Sequence, residues 1–282
     1  MTIQTFDENT TAQLLKGIDI PPQPKILLLV MEEQQRFDPD LRKIARAVEK
    51  DVGLAVAMLR AANSPAFGLG RKVTSISQSV MLLGMNNSAN LITGLSLRTA
   101  MSSASRISFS RFWDMAADTA LICSALARRF KIMAADQAHM MGLFHDCGIP
   151  LMMQKFSNYA EDFIKFHTDS QGLLINLEEQ HFNTNHALVG YFVARSWCLP
   201  EEIRTAIFNH HDEDLLTNAA DSLLARQVAL LSLANHLCHL YHWENDSAEW
   251  SRIEEGTLRV FDLNGEELME IIDDMKDVLA TA

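Results

Sequence analysis

Apolar residues recur along this chain at the spacing of amphipathic helices. Leu41, Ile44, Ala45 and Val48 fall three or four positions apart, which places them on one helical face. The strict alternation of apolar and polar residues that is typical of strands is nearly absent. The pattern therefore predicts an all-α protein.

Capping residues and chain breakers set the expected helix boundaries. Asp38 is predicted to be the N-cap of a helix whose first residue is Pro39, and Gly84 is predicted to end a helix. The other predicted helices cover residues 25–33, 53–62, 74–84, 86–100, 109–130, 174–180, 201–209 and 222–243, with further helical turns around residues 159–167 and a last amphipathic helix from residue 264.

Composition suggests where the chain divides. A serine-rich stretch at residues 101–105 is a candidate hinge, and it separates an N-terminal helical subdomain at 20–105 from a second subdomain at 106–245. Residues 246–282 form an acidic C-terminal helical extension with eleven acidic and three basic residues. Its apolar stripe is expected to pack on the bundle, with partner binding as the alternative.

The net charge, the spacing of the cysteines and the lack of long apolar runs argue against several classes of partner and location. The formal net charge of −12 over 282 residues argues against broad attraction to nucleic acid or to an anionic membrane. The four cysteines are far apart in sequence, which is typical of reduced thiols. The sequence opens without the features of a signal peptide, and no apolar run approaches the roughly 18 residues of a membrane span. We therefore expect a cytoplasmic protein with no membrane partner.

Candidate chemistry begins at an adjacent pair, His145 and Asp146. The pair follows an apolar helical run and precedes Gly148, which is predicted to end the helix in a left-handed turn. An imidazole and a carboxylate at one place suit zinc, iron or manganese. A hydrogen-bonded structural pair is the alternative interpretation.

Further histidines fall where they can join this pair. His186, His210 and His211 lie at predicted helix ends or faces that could converge in a bundle core. With His145 and Asp146 they make five donors, enough in principle for two ions that activate water against a phosphoester. His236, His239 and His242 recur every three residues, so adjacent ones could chelate a metal, but a solvated face is the favoured interpretation.

The order of several motifs resembles a known family, the HDOD domain, which is an HD-related output domain of bacterial signalling proteins. The resemblance covers roughly residues 20–97. It rests on Pro21-Pro22-Gln23-Pro24, Asp38-Pro39-Asp40-Leu41, Met58-Leu59-Arg60-Ala61-Ala62-Asn63-Ser64 and the stretch from Thr74 to Gly84. The resemblance implies an N-terminal helical subdomain followed by an HD-like bundle.

The later histidines resemble the HD phosphohydrolase superfamily, including the HD-GYP phosphodiesterases, but with departures. Met115 stands where that family has its first His, Ile149 where it has a Lys, and Asn235 where it has its final Asp. The Gly-Tyr-Pro run is also absent. The adjacent Glu178 and Glu179 resemble an acidic position of HDOD proteins, and we predict that they lie on a solvated face.

These departures remove ligands and charge, so hydrolysis is not expected. A single divalent metal held by His145, Asp146, His186 and one of His210 or His211 remains open, as does a vestigial site joined only by hydrogen bonds.

We therefore predict a non-catalytic bacterial regulatory module that requires no cofactor and is not joined to a receiver, kinase or cyclase segment. It would bind a signalling protein or a small ligand through a degenerate HD-type site, without binding nucleic acid. The alternative is a metal-dependent phosphohydrolase acting on a nucleotide or cyclic dinucleotide. An oxygen-activating di-iron enzyme ranks last, because it needs more ligands than are present.

Overall fold

Helices make up all the regular structure in the described part of the chain, which confirms the all-α prediction. The computed structural model describes residues 8–63, 72–102, 109–161, 174–218, 222–244, 247 and 249–280. Its helices are α1 Glu8–Leu15, α2 Lys25–Gln34, α3 Leu41–Val48, α4 Val52–Ala62, α5 Ile76–Ser102, α6 Ser110–Phe130, α7 Ala135–Phe144, α8 Gly148–Lys155, α9 Leu174–Phe182, α10 His186–Ser196, α11 Glu201–Phe208, α12 Glu213–Asn218, α13 Leu223–Trp243, α14 Trp250–Phe261 and α15 Gly265–Ala280.

The chain divides into two compact units. One consists of Met1–Pro21 and Ala104–Lys276, and the other of Pro22–Ser103 and Asp277–Ala282. Most of the predicted hinge at residues 101–105 lies outside the described residues. Among the helices that the structure describes, none has both the length and the apolar character needed to cross a membrane.

The smaller unit packs α2, α3, α4 and α5 around an aliphatic core. Its α5 is kinked at Gly84, where φ is +74° and the backbone is not helical. This is the predicted helix end, with a second helical segment continuing directly from it. The core side chains include Val30, Ile44, Val48, Met58, Val80 and Ile92.

The start of α3 differs from the prediction. The N-cap is Asp40, two residues later than the predicted Asp38, and its Oδ1 accepts a 2.9 Å hydrogen bond from Arg42 N. The physical reason lies in α2, where buried Glu33 accepts a 2.8 Å hydrogen bond from Asp40 N and a 2.9 Å bond from Lys43 Nζ. Glu33 therefore joins the end of one helix to the beginning of the next.

Glu33→Gln should destabilise the protein in a pH-dependent way. The hydrogen bonds from Lys43 and from Asp40 N keep the pKa of Glu33 below its ordinary value. A carboxyl with a lowered folded-state pKa stabilises the protein above its unfolded-state pKa and loses this effect as pH falls through the folded-state value. Thermal unfolding should show a lower Tm for the variant at pH 7 and a much smaller difference near pH 3.

The neighbouring exposed residue provides the control for this prediction. Glu32→Gln removes the same charge one position away, where the side chain is solvated, so its Tm should follow the wild type at both pH values. An equal Tm deficit of Glu33→Gln at pH 7 and pH 3 would contradict the charge-based explanation.

The larger unit is organised around α13, which is buried along most of its length. Helices α6, α7, α11 and α14 pack against it. Within this unit, the predicted apolar side of α15 is buried at Leu268, Ile271 and Met275. On its exposed side, Asp274 forms a 2.9 Å ion pair with Arg129 of α6.

Candidate metal centre

The predicted site residues all lie at helix ends in the larger unit. His145 is the C-cap of α7, and Asp146 follows it in the turn before α8. His186 is the first residue of α10, whose N-cap Asn185 accepts a 2.8 Å hydrogen bond from Leu188 N. His210 and His211 follow the end of α11. Each imidazole therefore lies where a helix begins or ends, and the packing of the helices brings these ends together.

Gly148 allows two of these ends to meet. It was predicted to end a helix in a left-handed turn, but this is wrong: Gly148 is the first residue of α8 and does not have a positive φ. A Cβ atom built at Gly148 would lie 2.1 Å from the carbonyl oxygen of His186. Glycine is therefore required because the backbones of α8 and α10 approach closely, which brings Asp146 to His186.

The Nε2 atoms of three imidazoles lie close to Asp146, and that of the fourth lies close to one of these three. His145 Nε2 lies 2.9 Å from Asp146 Oδ2, while His186 Nε2 and His210 Nε2 lie 3.5 Å and 3.4 Å from Oδ1. His211 Nε2 is 2.9 Å from His186 Nε2. The structure therefore brings together all five candidate metal ligands that were predicted from the sequence.

The Nδ1 atoms of two of these rings are anchored on backbone carbonyls. His145 Nδ1 donates to Gly142 O at 2.7 Å, and His210 Nδ1 donates to Ile207 O at 2.6 Å. Because a carbonyl only accepts, Nδ1 carries a proton in both rings. In the neutral form, Nε2 of each ring therefore presents a lone pair to the centre.

The other two rings are anchored on carboxylates. His186 Nδ1 donates to Glu178 Oε2 at 2.7 Å, and His211 Nδ1 donates to Glu249 Oε1 at 2.5 Å. Outer hydrogen bonds of this kind orient metal-binding histidines and fix their tautomer. All four imidazoles thus have the outer partners that a metal centre needs.

A buried nitrogen without a partner shows that the donors fit a cation. His210 Nε2 makes no hydrogen bond to any described residue, although it is buried 3.4 Å from Asp146 Oδ1. Burial and the adjacent His211 lower the pKa of His210 to about 3, so its Nε2 is an unprotonated lone pair facing a carboxylate oxygen. A cation bound to both atoms would remove this repulsion.

Four donors have the spacing that a single ion requires. One atom from each of Asp146, His186, His210 and His211 lies within 4.8 Å of the other three. Three imidazole nitrogens and one carboxylate oxygen suit zinc, iron or manganese. Burial opposes the protonation of His145, but the Asp146 carboxylate raises the pKa of His145, and the protonated ring donates from Nε2 to the other Asp146 oxygen and orients this carboxylate.

The same contacts determine the pKa values of the side chains in the centre. Burial disfavours the charged carboxylate of Asp146, but the imidazoles of His145 and His186 outweigh it and hold the pKa of Asp146 well below its usual range. Burial likewise opposes the protonation of His186, but the Glu178 carboxylate raises the pKa of His186 to about 9. The carboxylates of Asp146 and Glu178 therefore stabilise positive charge in this centre.

Glu178 corrects another prediction. It was expected on a solvated face, but it is 1% exposed and binds both Nδ1 and the backbone N–H of His186. The hydroxyl of buried Tyr159 donates to its other oxygen. Only Glu179 is exposed as predicted. A signal was present, because Glu178 falls four residues after Leu174 and four before Phe182, which places it on the apolar face of α9.

Glu249 was missed entirely by sequence reasoning. It precedes α14 in the segment interpreted as an acidic extension, and it is the acceptor for His211. The adjacent Trp250 is buried and stacks on His236, with ring centroids 3.9 Å apart. The prediction of a solvated face is therefore wrong for His236, because this ring lies against an indole.

The three departures from the HD pattern have separate places in the fold. Ile149 is buried in the first turn of α8. Met115 and Asn235 are half-buried on α6 and α13. Asn235 Oδ1 accepts a 3.4 Å hydrogen bond from Thr119, and the carbonyl oxygen of Met115 accepts from the Cys238 thiol at 3.6 Å.

A helical bundle in which a His-Asp pair meets three further histidines is an HD-type domain. The sequence profile of the HDOD domain matches residues 20–213, which is more than half of the chain. The chain therefore belongs to the HDOD family.

Curated relatives share this region at moderate identity. An uncharacterised protein of Treponema pallidum (strain Nichols) is 28% identical over 221 residues, which is 74% of this chain. The uncharacterised protein YuxH of Bacillus subtilis (strain 168) is 24% identical over 132 residues, which is 47% of this chain. These alignments cover 41% and 32% of the length of the two relatives.

Solved structures share the fold. An HDOD domain protein of unknown function from Geobacter sulfurreducens gives a TM-score of 0.73 at 21% identity, covering 96% of this chain and 95% of the other. A candidate phosphohydrolase from Shewanella amazonensis SB2B gives 0.71 at 19%, covering 95% and 96%. A candidate signal transduction protein from Marinobacter aquaeolei VT8 gives 0.74 at 20%, covering 99% and 60%.

Proposed function

We propose that this HDOD protein is a non-catalytic regulatory module of signal transduction whose histidine centre holds one divalent metal ion. The observation that supports the metal is the orientation of the four imidazoles: each has Nδ1 anchored on an outer acceptor and Nε2 directed inward. Asp146, His186, His210 and His211 would be the ligands. When bound, the ion would supply a fixed positive charge and Lewis acidity.

The charges around the centre support the same proposal. Three carboxylates, those of Asp146, Glu178 and Glu249, contact the four imidazoles. Protonation of His145 and His186 offsets only part of this negative charge, because His210 stays neutral, and unbalanced buried charge is costly. A dication balances most of that charge and joins the ends of α7, α10 and α11.

We propose that the protein does not hydrolyse phosphoesters, because of the residues at the three positions where the sequence departs from the HD pattern. A second ion needs more ligands, but Met115 offers only a thioether and Asn235 an uncharged amide that already bonds Thr119. Ile149 offers no charge for a phosphate. We propose that regulation proceeds through binding of a signalling protein or a small ligand, in a cytoplasmic bacterial setting and without nucleic acid.

A metal-dependent phosphohydrolase is the second candidate, and the retained His145-Asp146 pair favours it. It would use the ion to polarise a phosphoester or activate water. The name of the Shewanella relative points in this direction, but that similarity is one of fold.

The two candidates differ in metal content and turnover. In protein purified without a metal-affinity tag, elemental analysis should show about one equivalent of transition metal that is lost in His186→Ala, since the four donors fit one ion. It should not hydrolyse a chromogenic phosphodiester or cyclic dinucleotides with Mn²⁺ supplied. His181→Ala, which removes an exposed imidazole on α9, should leave the metal content unchanged.

Each other outcome overturns part of the proposal. Hydrolysis that disappears in His186→Ala would establish the phosphohydrolase instead. Protein that contains no metal and takes up none from Mn²⁺, Fe²⁺ or Zn²⁺ would leave a centre held by hydrogen bonds alone.

A further inference from the structure

A second group of potential metal ligands lies between α6 and α13, apart from the histidine centre. It contains Asp118 from α6 and Cys238 and His242 from α13. Cys238 and His242 are four residues apart, so both side chains project from one helical face. One donor atom of each residue lies within 4.8 Å of the other two.

Two of the three donors in this group are in direct contact, and the third lies at the same helix interface. His242 Nε2 lies 2.9 Å from Asp118 Oδ2. The buried thiol of Cys238 points to the same interface, where it donates weakly to the carbonyl oxygen of Met115. The side chains of Asp118 and His242 are 24% and 23% exposed, so the group can be reached from solvent.

The types of donor determine which cation would fit. A thiolate, an imidazole and a carboxylate together suit zinc and similar transition metals, whereas magnesium and calcium need oxygen donors. Three protein ligands with access to solvent leave a fourth position for water.

We propose that Asp118, Cys238 and His242 form a second site, which binds zinc or a chemically similar divalent transition metal. The site does not depend on the function proposed for the histidine centre, because it shares no ligand with it. Burial raises the pKa of the Cys238 thiol to about 11, so the metal must displace the thiol proton, which passes to solvent. The ion would link α6 to α13 beside Met115 and Asn235.

Titration of the metal-free, full-length protein with Co²⁺ alone tests this site. Thiolate ligation of Co²⁺ produces a charge-transfer band in the near ultraviolet, and imidazole or carboxylate ligation does not. We expect the band to saturate at one equivalent in His186→Ala, where the histidine centre is disabled, and to disappear when Zn²⁺ displaces Co²⁺. Cys238→Ser should abolish it.

Matched variants assign the band to this site. Cys198→Ser removes an exposed thiol elsewhere and should retain the band. His186→Ala disables the histidine centre and should also retain it, so failure of one site is distinguishable from failure of the other. Asp118→Asn keeps the side-chain size and the thiol, and it should weaken Co²⁺ binding by at least about 10-fold.

Three results would overturn the proposal. These are the absence of a band in the wild type, a band that survives Cys238→Ser, and an unchanged Co²⁺ affinity in Asp118→Asn. Because Asp118→Asn is nearly isosteric, its result stands even if Cys238→Ser folds poorly.

Discussion

Gly148→Ala should destabilise the protein severely and disrupt its histidine centre. The added Cβ would lie 2.1 Å from the carbonyl oxygen, 2.8 Å from the carbonyl carbon and 2.9 Å from the Cα of His186. All three are backbone atoms, so no side-chain rotation can relieve the clash. Overpacking of a core usually costs about 1–3 kcal/mol, and we expect at least about 3 kcal/mol here, seen as a fall in Tm of roughly 5–10 °C.

The displacement should also reduce metal binding, because the residue pushed away is His186. Elemental analysis of any folded Gly148→Ala protein should therefore show less metal than the wild type contains.

Gly265→Ala is the matched control. A Cβ at Gly265 would have no neighbour within 4 Å, and alanine is the better helix former at the start of α15. Its Tm should equal or exceed that of the wild type. If Gly148→Ala unfolded at the wild-type temperature, α8 and α10 could not be as close as the structure places them.

Asp146→Asn should abolish tight metal binding while leaving the fold in place. Asp146 is the one carboxylate among the four proposed ligands, and it contacts His145, His186 and His210. Loss of an outer partner typically costs about 10–100-fold in metal affinity, so loss of this ligand should cost at least about 100-fold. Titration of the metal-stripped protein with Mn²⁺ measures this, and far-ultraviolet circular dichroism checks the fold.

The Mn²⁺ affinities of two further variants make this prediction more specific. Glu249→Gln removes only the negative charge of the outer acceptor of His211 and should weaken Mn²⁺ binding by about 10-fold. Glu202→Gln, at an exposed position of α11, should have no effect. Wild-type affinity in Asp146→Asn would exclude this carboxylate as a ligand.

Local signals predicted the helices well because the relevant interactions are local. Ser222 caps α13 through Ala225 N, and Gly84 interrupts α5 with a positive φ. Asp38 and Asp40 were harder to separate, because each can cap a helix. The choice between them depends on Glu33, which lies one helix earlier and binds Asp40 N.

The site was predictable in its inner residues and not in its outer ones. His145, Asp146, His186, His210 and His211 are recognisable because metal-binding residue types occur together at helix ends. The role of Gly148 depends on a backbone contact with α10, 38 residues later, which local sequence does not encode. Glu249 is equally far from His211, and it stands in a stretch whose acidity resembles an ordinary solvated surface.

Glu249 lies beyond the part of the chain that matches the HDOD family, although it contacts a histidine of the candidate metal centre. The HDOD match ends at residue 213, so a chain shortened there would keep all four imidazoles and lose the acceptor for His211. Helix α13, which carries His236, and Trp250, which stacks on that ring, would be lost with it. The matched family domain therefore contains every histidine of the centre, but the helix that forms the middle of the larger unit and the outer acceptor of His211 both lie beyond it.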